Sequence, residues 1–560
     1  MAPSISLGFH IGHDRGAAIV KDGELIGAIS QERLDRRKHS ISDEIPFEAI
    51  DCICEYLGIH INDISGVVFS GDELFGNQTE RFIRKCFIEH YGLSRVEVRQ
   101  IDHHLAHAWS AYVSSGFEDS FILVADGGGD YVGNMIQSES LYYAEGDSME
   151  LIESRLQHPL VGRFSRKTNY CVPFMPDFVK HNQISIGRKY EQITYLLGFG
   201  WGQAGKTMGL ASYGSDHFEA PDFKNHDLNF SLTYADFLDS VYKEMERKGQ
   251  SASSFLRENE ADIAYAMQQF TEEAITSLVS YVTSKHKAAS ICFAGGLFLN
   301  CVANQRILDM CSGLGKAFFM PAAGDDGQAI GCALYAASQL RSPKLTVSSD
   351  FPYLGISYKS DDISEALKDF SSRLTYACLA DEDLIEEIAK ELYKDKIVGL
   401  VRGRTEIGPR ALCHRSILAS PLNIEMKEIL NSKVKHREYF RPFAPVVTAE
   451  RANEFFALKD SSPYMLLAPL VREEYREILP AITHVDNTAR VQTIEESSEY
   501  FVHGLLKRFE DITSYPVLLN TSFNVAGDPI VESPRDAIIT FLKTKIDILV
   551  LENYLVRKVN

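Results

Sequence analysis

The sequence predicts an α/β protein with several domains. Short apolar runs that end in turn residues alternate with segments of helical periodicity along the whole chain. Its 560 residues correspond to about three or four domains of ordinary size. Neither a repeat with a period of roughly 20–50 residues nor a low-complexity segment interrupts the alternation, which excludes solenoid and propeller architectures.

The chain is predicted to begin with three antiparallel strands. Residues 5–9, 17–20 and 24–30 are apolar and extended, and Asp22-Gly23 is a tight-turn signal before the third strand. Later strands are predicted from short apolar runs, and later helices from apolar residues at helical spacing. Strands are expected at 66–70, 96–101, 121–126 and 290–296, and helices at 46–57, 261–284, 300–310 and 329–338.

A polar, proline-containing stretch at 341–352 has no helical period and is predicted to be a linker. It divides the chain into a first domain at 1–345 and a second domain at 355–560. Within the first domain, the aromatic and histidine-rich segment 151–193 lies between motifs and is the predicted acceptor pocket.

Composition narrows the function classes. The 57 basic and 77 acidic residues give a net charge of -20, which argues against a nucleic-acid partner because phosphates require clustered Lys and Arg. The chain has no run of 18 apolar residues and no secretory pattern at its start, so neither a membrane span nor export is expected. Its ten cysteines are scattered, which fits a reducing, cytoplasmic setting.

Three glycine turns are candidate phosphate-binding loops. They are Gly12-His-Asp-Arg-Gly16, Asp126-Gly-Gly-Gly-Asp130 and Ala294-Gly-Gly-Leu-Phe-Leu-Asn300. Glycine lets backbone N–H groups approach a phosphate closely, although a single such turn is more often only a turn. Together they resemble the two-lobed actin/sugar-kinase-like (ASKHA) superfamily, in which two lobes grip a nucleotide.

A metal site is predicted from His103-His-Leu-Ala-His107. His103 and His107 are four residues apart, which on a helix places both imidazoles on one face. Asp126 and Asp325 lie in glycine turns and supply carboxylates. Two imidazoles and two carboxylates with open positions suit a divalent metal, iron(II) before manganese or zinc, that polarises a bound oxygen.

A local basic pocket is predicted in the second domain. Its five basic residues are Arg410, Lys435, Arg437, Arg441 and Arg490. The prolines Pro409, Pro442 and Pro445 near the arginines favour fixed loops over a flexible surface. Converging on one concave site, they would bind a triphosphate and a small phosphorylated anion, whereas each of them alone is usually a solvated surface charge.

These motifs resemble those of O-carbamoyltransferases of the nodulation and antibiotic-tailoring type, over nearly the whole length. That family joins a domain similar to the universal tRNA threonylcarbamoyl-transfer protein to a YrdC-like domain. The matching motifs are His103-x-x-x-His107, Asp126-Gly-Gly, Lys206-Thr-Met-Gly-Leu-Ala-Ser-Tyr-Gly214, Gly295-Gly-Leu-Phe-Leu-Asn300, Gly324-Asp-Asp-Gly327, Lys435-x-Arg437 and Ser522-x-Asn524.

The resemblance implies two half-reactions. In the YrdC-like domain, carbamoyl phosphate and ATP, with Mg²⁺ for the ATP, give carbamoyl adenylate. The five basic residues hold phosphates there, and Ser522 and Asn524 orient the carbamoyl or triphosphate group. In the first domain the metal grips the adenylate. The nucleotide-lobe residues implied or proposed are Gly128, Lys206, Asp216, Gly295, Gly296 and Asn300.

His13 is the candidate general base for the acceptor hydroxyl, or the residue that positions it, because imidazole suits proton removal near neutral pH. Lys38 resembles a family position near the substrate. The expected acceptor is a small natural product or a sugar, and a homodimer is the candidate assembly. Two alternatives stay open: a small-molecule kinase, which leaves the motifs of the second domain unexplained, and an enzyme of the tRNA threonylcarbamoylation type.

Overall fold

In a computed structural model the chain forms three β-sheets, and α-helices alternate with the strands along the sequence. The predicted α/β class is therefore confirmed. The described residues are 3–71, 78–93, 96–157, 185–218, 241, 243–311, 313–340 and 344–559. Most of the predicted acceptor segment, including His158, Phe164, Tyr170, Phe174, Phe178 and His181, lies outside them.

The strands are β1 (Ile5–His10), β2 (Gly16–Lys21), β3 (Glu24–Ser30), β4 (Gly66–Ser70), β5 (Val98–Gln100), β6 (Asp119–Ala125), β7 (Tyr131–Val132), β8 (Met135–Glu145), β9 (Ser148–Gln157), β10 (Ser290–Ala294), β11 (Lys316–Phe319), β12 (Thr346–Val347), β13 (Leu374–Cys378), β14 (Val398–Val401), β15 (Arg415–Ala419), β16 (Ala444–Thr448), β17 (Gln492–Ile494), β18 (Val517–Ser522), β19 (Ile548–Leu551) and β20 (Tyr554–Lys558).

The α-helices are α1 (Gln31–Asp35), α2 (Phe47–Leu57), α3 (Thr79–Tyr91), α4 (His103–Ser115), α5 (Ile186–Leu196), α6 (Ala204–Ala211), α7 (Ala252–Glu258), α8 (Glu260–His286), α9 (Cys301–Met310), α10 (Gln328–Gln339), α11 (Ser360–Asp369), α12 (Asp381–Tyr393), α13 (Met426–Leu430), α14 (Ala452–Phe455), α15 (Tyr500–Thr513) and α16 (Pro534–Lys543). The strands and helices predicted from periodicity are all present, with ends that differ by at most two residues.

The three sheets have mixed connectivity. The first has the order β12-β3-β2-β1-β4-β5, the second β11-β10-β6-β8-β7 with β9 beside β8, and the third β13-β20-β19-β14-β15-β18-β16-β17. In the first two, an antiparallel hairpin adjoins a parallel pair, β1 with β4 and β6 with β10. Part of the predicted linker forms the short strand β12, which is hydrogen-bonded to β3 and is the edge strand of the first sheet.

The chain forms two compact units. Unit 1 comprises Met1–Arg99, Cys332–Pro343 and Val347–Asn560, and unit 2 comprises Gln100–Gly331 and Lys344–Thr346. Unit 1 therefore holds the N-terminal sheet together with the C-terminal one. The division into functional domains at 1–345 and 355–560 stays a prediction.

Within unit 1, the segment after β3 is bonded to the C-terminal part of the chain through arginine side chains. Arg33 Nη2 donates to the carbonyl oxygen of Gly408 at 3.2 Å. Arg36 donates to the carbonyl oxygens of Ile530 at 2.6 Å and Pro529 at 3.0 Å. Hydrogen bonds from a charged donor are stronger than neutral ones, so these contacts fix the segment that carries Lys38.

Among the described residues, none of the helices is both long enough and apolar enough to cross a bilayer.

Candidate metal centre and anion site

Helix α4 of unit 2 presents the paired histidines. Asp102 caps its N-terminus by accepting a hydrogen bond from the backbone N–H of Leu105 at 2.9 Å. One turn then separates His103 from His107, and both are buried, at 8% and 0% exposed. His104 between them turns away, and its Nδ1 lies 2.8 Å from Ser140 Oγ. The helical period thus selects two of the three histidines.

The two carboxylates come from the ends of other elements in unit 2. Asp126 follows β6, and Asp325 begins a short 3-10 turn that leads into α10. Asp126 Oδ1 accepts a hydrogen bond at 3.1 Å from the backbone N–H of Gly296, which follows the parallel neighbour β10. Parallel strands bring their carboxyl ends to one edge, so these turns meet where the helix presents its imidazoles.

The four side chains form a compact donor set. His103 Nε2 lies 3.2 Å from Asp126 Oδ2 and 3.3 Å from Asp325 Oδ1. His107 Nε2 lies 3.6 Å and 3.3 Å from the same two oxygens. With metal–ligand bonds of ~2.1 Å, neighbouring ligands are ~3.0 Å apart in octahedral and ~3.4 Å apart in tetrahedral geometry. The observed spacings therefore fit one first-row divalent metal.

Burial and charge in this set also favour a cation. Both ring nitrogens of His107 are buried and make no hydrogen bond to any described residue, although a buried polar group normally has a partner. Burial would lower the pKa values of His103 and His107, but the facing carboxylates outweigh it and raise both. Burial would likewise raise the pKa of Asp126, but the two histidines hold it well below its ordinary value. The carboxylate is thus ionised, as a metal ligand must be.

His104 is excluded from the set by its surroundings. Burial, reinforced by the charge on His103, lowers the pKa of His104 to about 3, so its ring is neutral. The Cβ of any side chain at Gly129 would approach the His104 ring within 2.8 Å.

The turn at Gly295 admits only glycine. Its φ is +96°, and a Cβ there would lie 2.2 Å from the carbonyl oxygen of Ala125. We expect Gly295→Ala to destabilise unit 2 by more than about 3 kcal/mol, because strain and overlap with backbone add. Thermal denaturation followed by circular dichroism measures this. Gly116→Ala is the control, since its φ is also positive (+68°) but its Cβ meets open space. Equal losses in the two variants would contradict this explanation.

The other residues predicted to bind nucleotide in unit 2 have different environments. The amide of Asn300 is engaged by Gln268 in both directions, at 2.9 and 3.2 Å, and its oxygen also caps α9. Lys206 Nζ lies 5.7 Å from the ring centroid of Phe199, and Asp216 is exposed. A Cβ at Gly128 would meet Gln157 Nε2 at 3.1 Å. Their nucleotide roles stay predictions.

A second site surrounds Lys435 in unit 1. Lys435 ends a π-helical turn, Asn431–Lys435, a geometry often found at functional sites. The three N–H donors of its buried ammonium are shared among four neutral oxygens: the carbonyl oxygens of Ser522 at 2.7 Å and Asn524 at 2.9 Å, and their side-chain oxygens at 3.1 and 2.5 Å. Among the described residues, the charged groups that act on the pKa of Lys435 are all cations. The K-x-R and S-x-N motifs, predicted from separate stretches, are therefore in direct contact.

Three arginines of the predicted basic pocket, Arg437, Arg441 and Arg490, lie close enough to repel one another, and the first two also repel Lys435. Burial and then the charges of Arg437, Arg441 and Lys38 lower the pKa of Lys435 well below its ordinary value. Burial and then Arg441 and Arg490 do the same to the pKa of Arg437. Arg437 is fixed by Asn431 Oδ1 at 2.7 Å and stacks 4.3 Å from the Phe443 ring centroid. Lys435 is buried and the three arginines are partly buried, and binding an anion relieves such a concentration of positive charge.

The loop that carries Arg410 rests on an ion pair that the sequence analysis missed. Arg415, fully buried, lies 3.5 Å from Glu532, and its guanidinium donates to the carbonyl oxygen of Gly403 at 3.1 Å. Burial raises the pKa of Glu532 despite that arginine. Arg410 itself is partly buried. Neither Arg415 nor Glu532 stands in a motif, so only the fold reveals them.

His13 and Lys38 lie in loops of unit 1 beside acidic groups. His13 Nδ1 is 2.9 Å from Asp14 Oδ2, and Lys38 Nζ is 3.3 Å from Glu32. Asp14, Glu32 and His39 offer donor atoms within 4.8 Å of one another. Asp14 is hydrogen-bonded to His13 and to His39, and Glu32 accepts a hydrogen bond from the backbone N–H of His39. These hydrogen bonds explain why the three groups lie close together.

Comparison with known proteins identifies the family to which the chain belongs. A family model described as Carbamoyltransferase N-terminus matches residues 85–334, and one described as Carbamoyltransferase C-terminus matches residues 389–558. Nodulation protein NolNO of Sinorhizobium fredii is 32% identical over 98% of this chain and 79% of its own length. The chain belongs to the carbamoyltransferase family. The predicted family and enzyme class are confirmed: this protein is a carbamoyltransferase.

The chain is also similar to a second nodulation protein and to one solved structure. Nodulation protein NolO of Bradyrhizobium diazoefficiens is 35% identical to this carbamoyltransferase over 82% of this chain and 79% of its own length. Among solved structures, full-length HypF in its phosphate- and nucleotide-bound form covers 60% of this chain and 55% of its own, at 16% identity and a TM-score of 0.41.

Proposed function

We propose that this carbamoyltransferase is ATP-dependent and acts on a hydroxyl group. Carbamoyl phosphate, ATP and one water give carbamoyl adenylate, pyrophosphate and phosphate. The adenylate then gives its carbamoyl group to the hydroxyl of a small natural product or a sugar, and AMP leaves. A carbamate ester needs a good leaving group, which AMP provides and a bare carbamate does not.

The observation that carries the proposal is Lys435, a buried ammonium with neutral oxygen partners and cationic neighbours. Such a group is costly in the absence of an anion. Arg437, Arg441 and Arg490, which share the site electrostatically, suit the planar, bidentate recognition of phosphate oxygens. We assign adenylate formation to this site, with Arg410 as a further phosphate ligand and Ser522 and Asn524 orienting the carbamoyl or triphosphate group.

For the transfer half-reaction, His103, His107, Asp126 and Asp325 would hold a divalent metal, iron(II) before manganese or zinc. When bound, the metal supplies Lewis-acid stabilisation of charge on a ligand oxygen. Around it the backbone N–H of Gly296 orients Asp126, and Asp102 keeps the first turn of α4 in place. His13 takes the proton of the acceptor hydroxyl, and Lys38 stabilises negative charge on the substrate.

Product analysis tests the proposal. With carbamoyl phosphate, ATP, Mg²⁺ and a panel of hydroxylated natural products and sugars, we expect equal amounts of AMP, pyrophosphate and carbamate ester by mass spectrometry. Formation of ADP would indicate a phosphotransferase instead. Binding of tRNA in a filter assay, with carbamoylation of no small hydroxyl compound, would contradict the acceptor class.

A further inference from the structure

The carboxylate of Asp14 bridges two imidazoles. Its Oδ2 lies 2.9 Å from His13 Nδ1 and its Oδ1 lies 2.8 Å from His39 Nδ1. All three side chains are partly buried, and His13 is the most exposed of them, at 39%. Both carboxylate oxygens are thus engaged, each by the Nδ1 atom of one imidazole.

The backbone holds this arrangement in place. Asp14 has a positive φ of 53°, and its N–H donates to the carbonyl oxygen of His39 at 2.7 Å. Gly12 and Ser42 exchange two backbone hydrogen bonds, at 3.0 and 2.8 Å. These backbone bonds join the segment that carries His13 and Asp14 to the segment that carries His39. The geometry of the three side chains therefore does not depend on their own contacts alone.

A carboxylate accepts hydrogen bonds and cannot donate them. Each imidazole must therefore carry its proton on Nδ1, which makes Nε2 of a neutral ring the acceptor nitrogen. Burial would raise the pKa of Asp14, but the hydrogen bonds from His13 and His39 lower it, so the carboxylate stays ionised. The backbone N–H of His39 donates to Glu32 at 2.8 Å, and Lys38 Nζ lies 3.3 Å from the same carboxylate.

We propose that Asp14 is a positioning residue for carbamoyl transfer, which selects the Nδ1–H tautomer of His13 and aims Nε2 at the acceptor hydroxyl, with His39 orienting Asp14 in turn. This rests on the proposed function of His13. The acceptor proton moves to His13 Nε2 as its oxygen bonds to the carbamoyl carbon. The bond from that carbon to the AMP phosphate oxygen breaks, and the proton then passes to water.

Asp14→Asn tests the proposal, because an amide can donate to Nδ1 and so stabilise the wrong tautomer. We expect kcat for transfer to fall at least about 100-fold, while KM for the acceptor changes less than about threefold. Pyrophosphate release should be unchanged, which also reports folding. Selective ¹⁵N-histidine NMR should show the His13 proton move from Nδ1 to Nε2.

Asp22→Asn is the matched control, since Asp22 is exposed and has a similar φ of 51°. It should leave kcat for transfer and the His13 tautomer unchanged. If Asp14→Asn fails to fold, His39→Gln, which can still donate to Asp14, is compared with His39→Leu. We then expect His39→Gln to retain activity and His39→Leu to lose about 10-fold in kcat.

Two outcomes separate the hypotheses. Transfer at the wild-type rate by His13→Ala would refute the base role in the proposed function. If His13→Ala loses transfer but Asp14→Asn keeps the wild-type kcat, only the role of Asp14 is refuted. The same holds if His13→Ala loses transfer and the His13 tautomer is unchanged in Asp14→Asn.

Discussion

Lys435→Met is expected to reduce pyrophosphate release from ATP and carbamoyl phosphate by at least about 100-fold. Loss of one preorganised charge contact to a reacting oxyanion costs about that much. The ammonium of Lys435 is buried, and its four closest hydrogen-bond acceptors are neutral oxygens of Ser522 and Asn524. Coupled pyrophosphate detection measures the rate, and circular dichroism checks the fold.

Lys433→Met is the control for this experiment, because Lys433 lies in the same π-helical turn and is exposed. It should release pyrophosphate at the wild-type rate. A Lys435→Met enzyme that is folded and fully active would show that the buried ammonium is only structural. Equal losses in both variants would point to damage of the turn rather than to an anion contact.

Asp325→Asn is expected to remove the bound metal and to abolish carbamoyl transfer, while pyrophosphate release continues. The amide keeps the size of the side chain but loses the charge that faces His103 and His107 at 3.3 Å. Removing one ligand from a site of four lowers metal affinity by orders of magnitude, on the scale of 100-fold or more. Elemental analysis and titration with iron(II), manganese(II) and zinc(II) measure the affinity.

The neighbouring Asp326→Asn serves as its control, because Asp326 follows directly in the same turn and is not in the donor set. It should keep the metal and the transfer activity. Loss of pyrophosphate release in Asp325→Asn would contradict the separation of the half-reactions, and metal binding at wild-type affinity would remove Asp325 from the donor set.

Local patterns predicted the parts of each site that local structure determines. The spacing of His103 and His107 is a helical property, and α4 forms because Asp102 caps it. Asp126 could be anticipated because its strand ends in glycines, which allow the chain to turn at the edge of a sheet. The contact between Lys435 and Ser522 joins residues 87 positions apart, and only the resemblance of the motifs suggested it.

The residues that sequence reasoning missed depend on long-range pairing. Asp14 and His39 meet because a backbone bridge joins Gly12 to Ser42, and neither loop has a periodic pattern. Asn300 stands in a nucleotide-lobe motif, yet Gln268 engages its amide from another helix. Contacts of this kind follow from how sheets and loops close on one another, and one-dimensional spacing does not encode them.

The most direct test of the central claim, activation through carbamoyl adenylate, uses carbamoyl phosphate labelled with ¹⁸O at both carbamoyl oxygens. If the carbamoyl oxygen attacks the α-phosphate of ATP and the carbon–oxygen bond breaks on transfer, that oxygen stays with the nucleotide. We predict that each AMP formed carries one ¹⁸O atom. Unlabelled AMP, or ADP in its place, would contradict the adenylate mechanism.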